Sequence, residues 1–293
     1  MKASSARWFS VFLLVFCQSF LWGQAKAPHV RTRSSSLPDL IERVRPCIAR
    51  VEVSYTFHTL ENPSATMTVD GNGTGFIFDA DGHIATAGHV VSTEFALRDL
   101  SDKLLREKNL HVDPTSFFRN TMGVTFPLPS VESDATGTTY YGTGIGETAT
   151  ILTEDDLSDV AILKCRNNPL RLPPSKVSGL TVPPPSVAAL QTRKPRDGDM
   201  ISVSGFPLSI PVLVTNTGWI ASSFFRDEKD RSLYLGSILI NHGNSGGPVY
   251  SDSDGRILGI VVEYRPAPEG NSGLTVIVPI QRVLDLLAAS PNK

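Results

Sequence analysis

The sequence predicts an all-β fold built as two similar halves, and three observations carry that expectation. Short apolar stretches with period-two alternation recur along the chain; in Ile48 to Thr56, Val51, Val53 and Tyr55 are set against Arg50, Glu52 and Ser54. Asp, Gly and Pro interrupt these stretches at short intervals, so strands joined by turns form a sandwich or barrel. Seven of the 21 prolines (Pro169, Pro173, Pro174, Pro183, Pro184, Pro185, Pro195) fall between Arg166 and Asp197, a connector that suits neither a helix nor a central strand.

A chain of 293 residues with 41% hydrophobic content suffices for one large domain or two closely joined halves. The formal net charge is −2 and no block of like charge occurs, so nucleic acid is not an expected partner. Lys2 and Arg7 precede an apolar run from Trp8 to Trp22, which reads as a signal peptide over residues 1–25, followed by a flexible leader over 26–36. The run is short for a membrane span, so no membrane attachment is expected after cleavage; an uncleaved anchor is the alternative. The expected location is secreted or periplasmic. Cys17 leaves with the signal, and Cys47 and Cys165 remain as one disulfide or as two buried thiols. Three cysteines exclude a four-cysteine zinc site, and no histidine pair flanks a glutamate at helical i, i+4 spacing. No metal or cofactor is expected.

Taken in order, Leu37 to Val44 reads as a short helix and Ile48 to Thr56 as a strand. Gly73 to Phe78 and His83 to Val91 flank an Asp/Gly turn and form a hairpin, whose second strand ends in Ala87, Gly88 and His89. Taken alone, His89 is a core or surface histidine, and His58, His83 and His111 keep that reading. From Thr93 to about Gly137 the pattern changes: Phe95, Leu97, Leu100, Leu104 and Leu105 recur at helical spacing. This inserted helix packs on the exterior of the first half, or else serves as a lid or oligomer contact. Strand signals return at Val124 to Phe126 and Thr148 to Leu152. The polar turn Asp155 to Ser158 then ends in Asp159, just before apolar Val160 to Leu163. Alone, Asp159 reads as a turn cap. Beyond the connector, strands are expected near Met200 to Ser204, Thr217 to Ser222, Leu233 to Leu239, Pro248 to Tyr250, Ile257 to Tyr264 and Leu274 to Val278. Val283, Leu284, Leu286 and Leu287 give Ile280 to Ala289 one apolar helical face.

The stretch Ile240-Asn241-His242-Gly243-Asn244-Ser245-Gly246-Gly247-Pro248 presents one serine on a glycine-rich turn. A serine attacks a carbonyl only when a base takes its proton and backbone donors receive the oxyanion. Gly243 allows the backbone to bend so that its N–H and that of Ser245 converge. Alone this is an ordinary turn. Together with His89 and Asp159, in the order His, Asp, Ser, it has the makings of a catalytic triad.

Thr86-Ala-Gly-His89, Ser158-Asp159-Val-Ala-Ile-Leu-Lys164 and Gly243-Asn-Ser245-Gly-Gly-Pro248 resemble the three signature segments of trypsin-like serine proteases. Gly73-Thr-Gly-Phe76 and Ile240-Asn241 look most like the Deg-type, high-temperature-requirement branch. The resemblance runs from Leu37 to Ala289, with 93–137 poorly matched. It implies a protease domain over 37–293 made of two six-stranded antiparallel β-barrels of the chymotrypsin type, to which the helical spacing in this chain adds an inserted helix and a C-terminal helix. The implied bounds are about 46–165 for the first barrel, 166–197 for the connector, 198–279 for the second barrel and 280–289 for the helix. Also implied are His89, Asp159 and Ser245 as catalytic residues, an oxyanion hole from the Gly243 and Ser245 N–H groups, and metal-free hydrolysis of extended or unfolded polypeptides in extracytoplasmic processing or quality control. Val262, Glu263 and Tyr264 resemble the substrate-pairing strand and, with Ile240, border the S1 pocket. Leu239 stands six residues before the serine where basic-specific relatives carry an acid, so aliphatic P1 residues are expected. Two departures from the Deg pattern are the inserted helix and the expected lack of a C-terminal PDZ module. The rival readings are a protease fold that binds peptides without turnover, and an esterase. An oligomer is compatible with the sequence, and nothing in it argues for one.

Overall fold

Alternation in the strands becomes barrel geometry in the computed structural model, which describes residues 36–128, 143–173, 175–177, 180–182, 184–265 and 273–290. The signal segment, the leader up to residue 35 and part of the insertion lie outside these residues. Strand β1 (Ile48–Thr59) sends Val51, Val53, Tyr55 and Phe57 inward, while Arg50, Glu52 and Ser54 stay half-exposed. It pairs with β2 (Asn62–Ile77) and β4 (Phe118–Pro127). With β3 (Ile84–Ala87), β5 (Thr143–Asp155) and β6 (Val160–Cys165), these close an antiparallel barrel in the order β1-β2-β3-β6-β5-β4.

The second half repeats the plan. Strands β9 (Met200–Gly205), β10 (Val214–Arg226), β11 (Ser232–Ser237), β12 (Pro248–Ser251), β13 (Ile257–Arg265) and β14 (Leu274–Pro279) close in the order β10-β11-β14-β13-β12-β9. This is the expected pair of six-stranded barrels. Among the described residues the connector holds one turn of 3-10 helix (Pro169–Arg171) and a short hairpin of β7 (Ser175–Val177) and β8 (Leu180–Val182), which pairs with neither barrel.

Among the described residues four α-helices decorate the barrels. Helix α1 (Leu37–Val44) begins at a capping box in which the Ser36 hydroxyl and the Asp39 carboxylate each satisfy the other's backbone, and it buries Leu40 and Val44. One turn, α2 (Gly88–Val91), follows β3. The inserted helix α3 (Thr93–Lys108) is capped by Ser92, whose hydroxyl accepts from Phe95 N–H, and it stops at Asn109, which adopts φ 52°. Helix α4 (Ile280–Ala289) closes the described chain, burying Ile280 and Val283.

Three apolar clusters result. One fills the first barrel (Val51, Val53, Tyr55, Phe57, Ile84, Leu163) and another the second (Ile201, Val203, Ile220, Val249, Val261, Ile277). The third joins the barrels: Phe76 and Ile162 from the first meet Phe206, Tyr250, Ile260 and Val278 from the second, with Leu40 of α1 and Val283 of α4. Each such side chain contributes about 1.5–3 kcal/mol when fully buried, so the inter-barrel seam is a core and not a loose contact. Cys47 and Cys165 are buried and unbonded, in different clusters, and burial pushes each thiol up to about 12.

Candidate active site

His89 stands where β3 gives way to α2, and Asp159 stands in the turn between β5 and β6. Because β3 and β6 are neighbours in register from Ile84↔Leu163 to Ala87↔Val160, the two residues emerge side by side. Three hydrogen bonds then fix them. Gly88 N–H donates to the Asp159 carbonyl (3.0 Å), His89 N–H to Asp159 Oδ1 (2.8 Å), and His89 Nδ1 lies 2.8 Å from Asp159 Oδ2. A carboxylate only accepts, so Nδ1 carries the proton, and Nε2 of the neutral ring keeps its lone pair facing away from the acid. Asp159 reaches this position with φ 56°, a left-handed backbone that turns its carboxylate back over Gly88 and His89. Both side chains are about one-fifth exposed, at 20% and 23%.

The serine turn lies between the end of β11 and the start of β12. Gly243 (φ 98°) and Gly246 (φ 83°) adopt backbone conformations disfavoured for any side chain; a Cβ on the first would collide with the Phe206 carbonyl, and on the second with Thr74 O and Thr86 Oγ1. Gly246 N–H donates to Val261 O (2.7 Å) and Val261 N–H to Gly247 O (3.0 Å), which ties the turn to β13. Among the described residues, nothing accepts from the N–H of Gly243 or of Ser245.

Thr74 of β2 connects this turn to the first barrel. Its N–H donates to Ser245 O (2.8 Å), its hydroxyl donates to Gly243 O (2.7 Å) and accepts from Phe206 N–H (3.1 Å), and its carbonyl accepts from Thr86 Oγ1 (2.7 Å). Nearby, Asn72 Nδ2 donates to Phe206 O (3.2 Å) and Leu208 N–H to His242 O (2.7 Å). The Ser245 carbonyl and the Val90 side chain, one residue past His89, both lie against Gly73. The serine and the histidine are thus on the same seam. Among the described residues no hydrogen bond joins Ser245 Oγ to the imidazole, an arrangement that commonly tightens when substrate binds.

A family model described as a trypsin-like peptidase domain matches residues 73–260, more than half of the chain and all three of these segments. The chain belongs to the trypsin-like peptidase family. Its curated relatives are HtrA-type proteases. It is 25% identical over 281 residues to serine protease HTRA1 of Xenopus tropicalis, covering 92% of this chain and 46% of that protein. It is 23% identical over 272 residues to the mitochondrial serine protease HTRA2 of Bos taurus, covering 90% of this chain and 45% of the relative. Among solved structures, a variant of the HtrA-type protease AlgW with a decapeptide superposes with a TM-score of 0.59 at 16% identity, over 87% of this chain and 66% of that one, which shows a shared fold. The chain spans just under half the length of these curated relatives.

In this trypsin-like chain the other sequence-derived positions are distributed as follows. β13 pairs with β12 only from Ile257 to Ile260, but with β14 as far as Arg265. From Val262 to Arg265 its other edge therefore has no strand beside it among the described residues, which leaves backbone groups for an added strand. Val262 is buried at 4% exposure; Glu263 turns to Arg265 (3.1 Å); the Tyr264 hydroxyl accepts from Gly273 N–H (2.8 Å). Ile240 is buried in the second barrel's core, whereas Leu239 projects outward and its carbonyl accepts from Asn216 Nδ2. His58 and His111 bond Thr66 and Glu61 on the surface. Asp79, Asp81 and His83 bring three ligand-type atoms within 4.8 Å, but Asp79 already accepts from the Asp81 and His83 N–H groups and pairs with His83 Nδ1 (2.7 Å), as a closed hairpin turn requires.

Two contributors escaped the sequence reading. Thr74 was part of a recognised Gly-Thr-Gly segment, but nothing in a strand pattern says that its hydroxyl crosses to the other barrel. Phe95 marks the apolar spacing of α3, yet its ring lies against His89, with centroids 5.4 Å apart at 44°.

Proposed function

We propose that this chain is a serine endopeptidase acting through Ser245, His89 and Asp159. His89 Nε2 takes the Ser245 Oγ proton as the oxygen attacks the scissile carbonyl carbon. The oxyanion so formed is received by the N–H groups of Gly243 and Ser245, while Asp159 holds the tautomer and stabilises the imidazolium. Collapse of this intermediate expels the amine, which leaves with the proton from His89; water then repeats the sequence on the acyl-enzyme. The substrate is an extended or unfolded polypeptide that adds to the free edge of β13 at Val262 to Tyr264, with an aliphatic residue in a pocket bordered by Ile240 and the Val262 to Tyr264 region. The carrying observation is that His89, held by Asp159 through its backbone N–H and Nδ1 at 2.8 Å, shares a seam with the Ser245 turn: Gly73 lies against both Val90 and the Ser245 carbonyl, and the Thr74 N–H donates to Ser245 O. His83 with Asp79 and His111 with Glu61 make the same pair of carboxylate contacts, so the reading rests on the place of His89 beside the serine turn and not on the pairing alone.

The proposed setting is extracytoplasmic protein processing or quality control, on the strength of the basic start and apolar run in residues 1–25. Among the described residues no helix is long and apolar enough to cross a membrane. Cleavage of a peptide library by the purified chain tests the activity. Cuts after Val, Ile, Leu or Ala that vanish in Ser245→Ala are expected. A profile dominated by Arg or Lys would overturn the P1 assignment, and cleavage that survives Ser245→Ala would overturn the mechanism.

A further inference from the structure

The helix that follows the histidine carries an aromatic ring and a cation to the edge of the site, and the chemistry above uses neither. Helix α3 lays Ala96, Leu97, Leu100 and Leu104 against the core of the first barrel. Phe95 and Arg98, three residues apart and so on one face, are left outside that contact. Phe95 stays 39% exposed although its ring touches that of His89. The guanidinium of Arg98 lies over the Phe95 ring, 4.8 Å from its centroid. Arg98 is itself exposed, and although Glu94, Asp99 and Asp102 share the helix and are exposed too, none of them forms an ion pair with it among the described residues.

This arrangement has the form of a recognition surface. Stacking on a ring restricts the guanidinium without consuming its in-plane N–H donors, which match a carboxylate bidentately. His89 must come within hydrogen-bonding reach of the leaving amine during acyl transfer, so the residues flanking the scissile bond pass beside the ring that Phe95 contacts. We propose that Phe95 and Arg98 form a specificity subsite for a carboxylate-bearing substrate residue within two positions of the scissile bond. The subsite rests on the proteolytic reading given above. Phe95 supplies the apolar wall for the stem of that residue, and Arg98 pairs with its charge.

The test uses the full chain and matched peptides carrying Glu, Gln or Lys in turn at the two positions on either side of the cut. At one of these positions the wild-type chain is expected to favour Glu over Gln by about two- to fivefold in kcat/KM, the range of an exposed ion pair, with the preference fading as salt is added. Arg98→Ala should erase the preference, Arg98→Lys should retain part of it, and Arg98→Glu should turn it toward Lys. Fluorophosphonate labelling of Ser245 in the same preparations reports whether the nucleophile is active. A labelled enzyme whose Glu-to-Gln ratio is near one, or unchanged by Arg98→Glu, overturns the subsite and leaves proteolysis standing. A folded wild-type chain that neither labels nor cleaves overturns both.

Discussion

Asp159 holds a backbone conformation that few non-glycine residues adopt, and the hydrogen bonds around it explain why it is held there. Two of its oxygens and its carbonyl are taken by Gly88 and His89. An asparagine would keep the Oδ1 contact with the His89 N–H, but its amide would donate to Nδ1 and leave the proton on Nε2, where it blocks acceptance from serine. Asp159→Asn is therefore expected to lower kcat on the order of 10³–10⁴-fold at neutral pH while leaving the unfolding midpoint nearly unchanged, as steady-state kinetics beside thermal melts would record. A midpoint that falls as steeply as the rate would mean that Asp159 is a structural turn residue. The sequence singles out His89, Asp159 and Ser245 because each lies in a local setting that its proposed role needs: a strand end after small residues, a polar turn before an apolar strand, and a glycine-rich turn.

At the scale of elements, β2 was legible only in part. Its second half, Gly73 to Ile77, is buried, whereas Asn62 to Asp70 is mostly exposed in a hairpin arm with β1, with only Met67 and Val69 half-buried, and so carries a weak burial signal. The early part of β4 was missed for the same reason, since Phe118 to Thr121 pairs with β1 while remaining largely in solvent. Helix α3 was legible from spacing, but spacing cannot separate Phe95, which faces the histidine, from Leu97 and Leu100, which face the barrel. Thr74 shows what an element contributes beyond its pattern, because its fully buried hydroxyl serves Gly243 O and Phe206 N–H at once. Thr74→Val should leave both groups unpaired, at about 1–3 kcal/mol each, and should lower kcat/KM by loosening the Gly243 peptide. Thr74→Ser, which retains the hydroxyl, should recover most of both, as denaturant unfolding and kinetics on the three proteins would reveal. Equal behaviour of the Val and Ser variants would remove Thr74 from the account.

For the whole molecule, the proposed nucleophile comes from the second barrel and the proposed base and acid from the first, so the proposed site requires that the seam of Phe76, Ile162, Phe206 and Tyr250 hold the barrels in register. Two β halves were legible because proline concentrates in the connector and strand signals recur on both sides of it, and the family resemblance implied that they are barrels. Their closure and mutual packing were not, since these depend on pairings such as β1 with β4 and β9 with β12 that no local pattern announces. The central claim is that Ser245 is an activated nucleophile. Its most direct test is covalent labelling of the purified full chain with a fluorophosphonate, with the adduct located by mass spectrometry and Ser245→Ala as the control. A single adduct on Ser245, absent from the variant, is the predicted result; a folded chain that takes up no label, or takes it up elsewhere, would contradict the account.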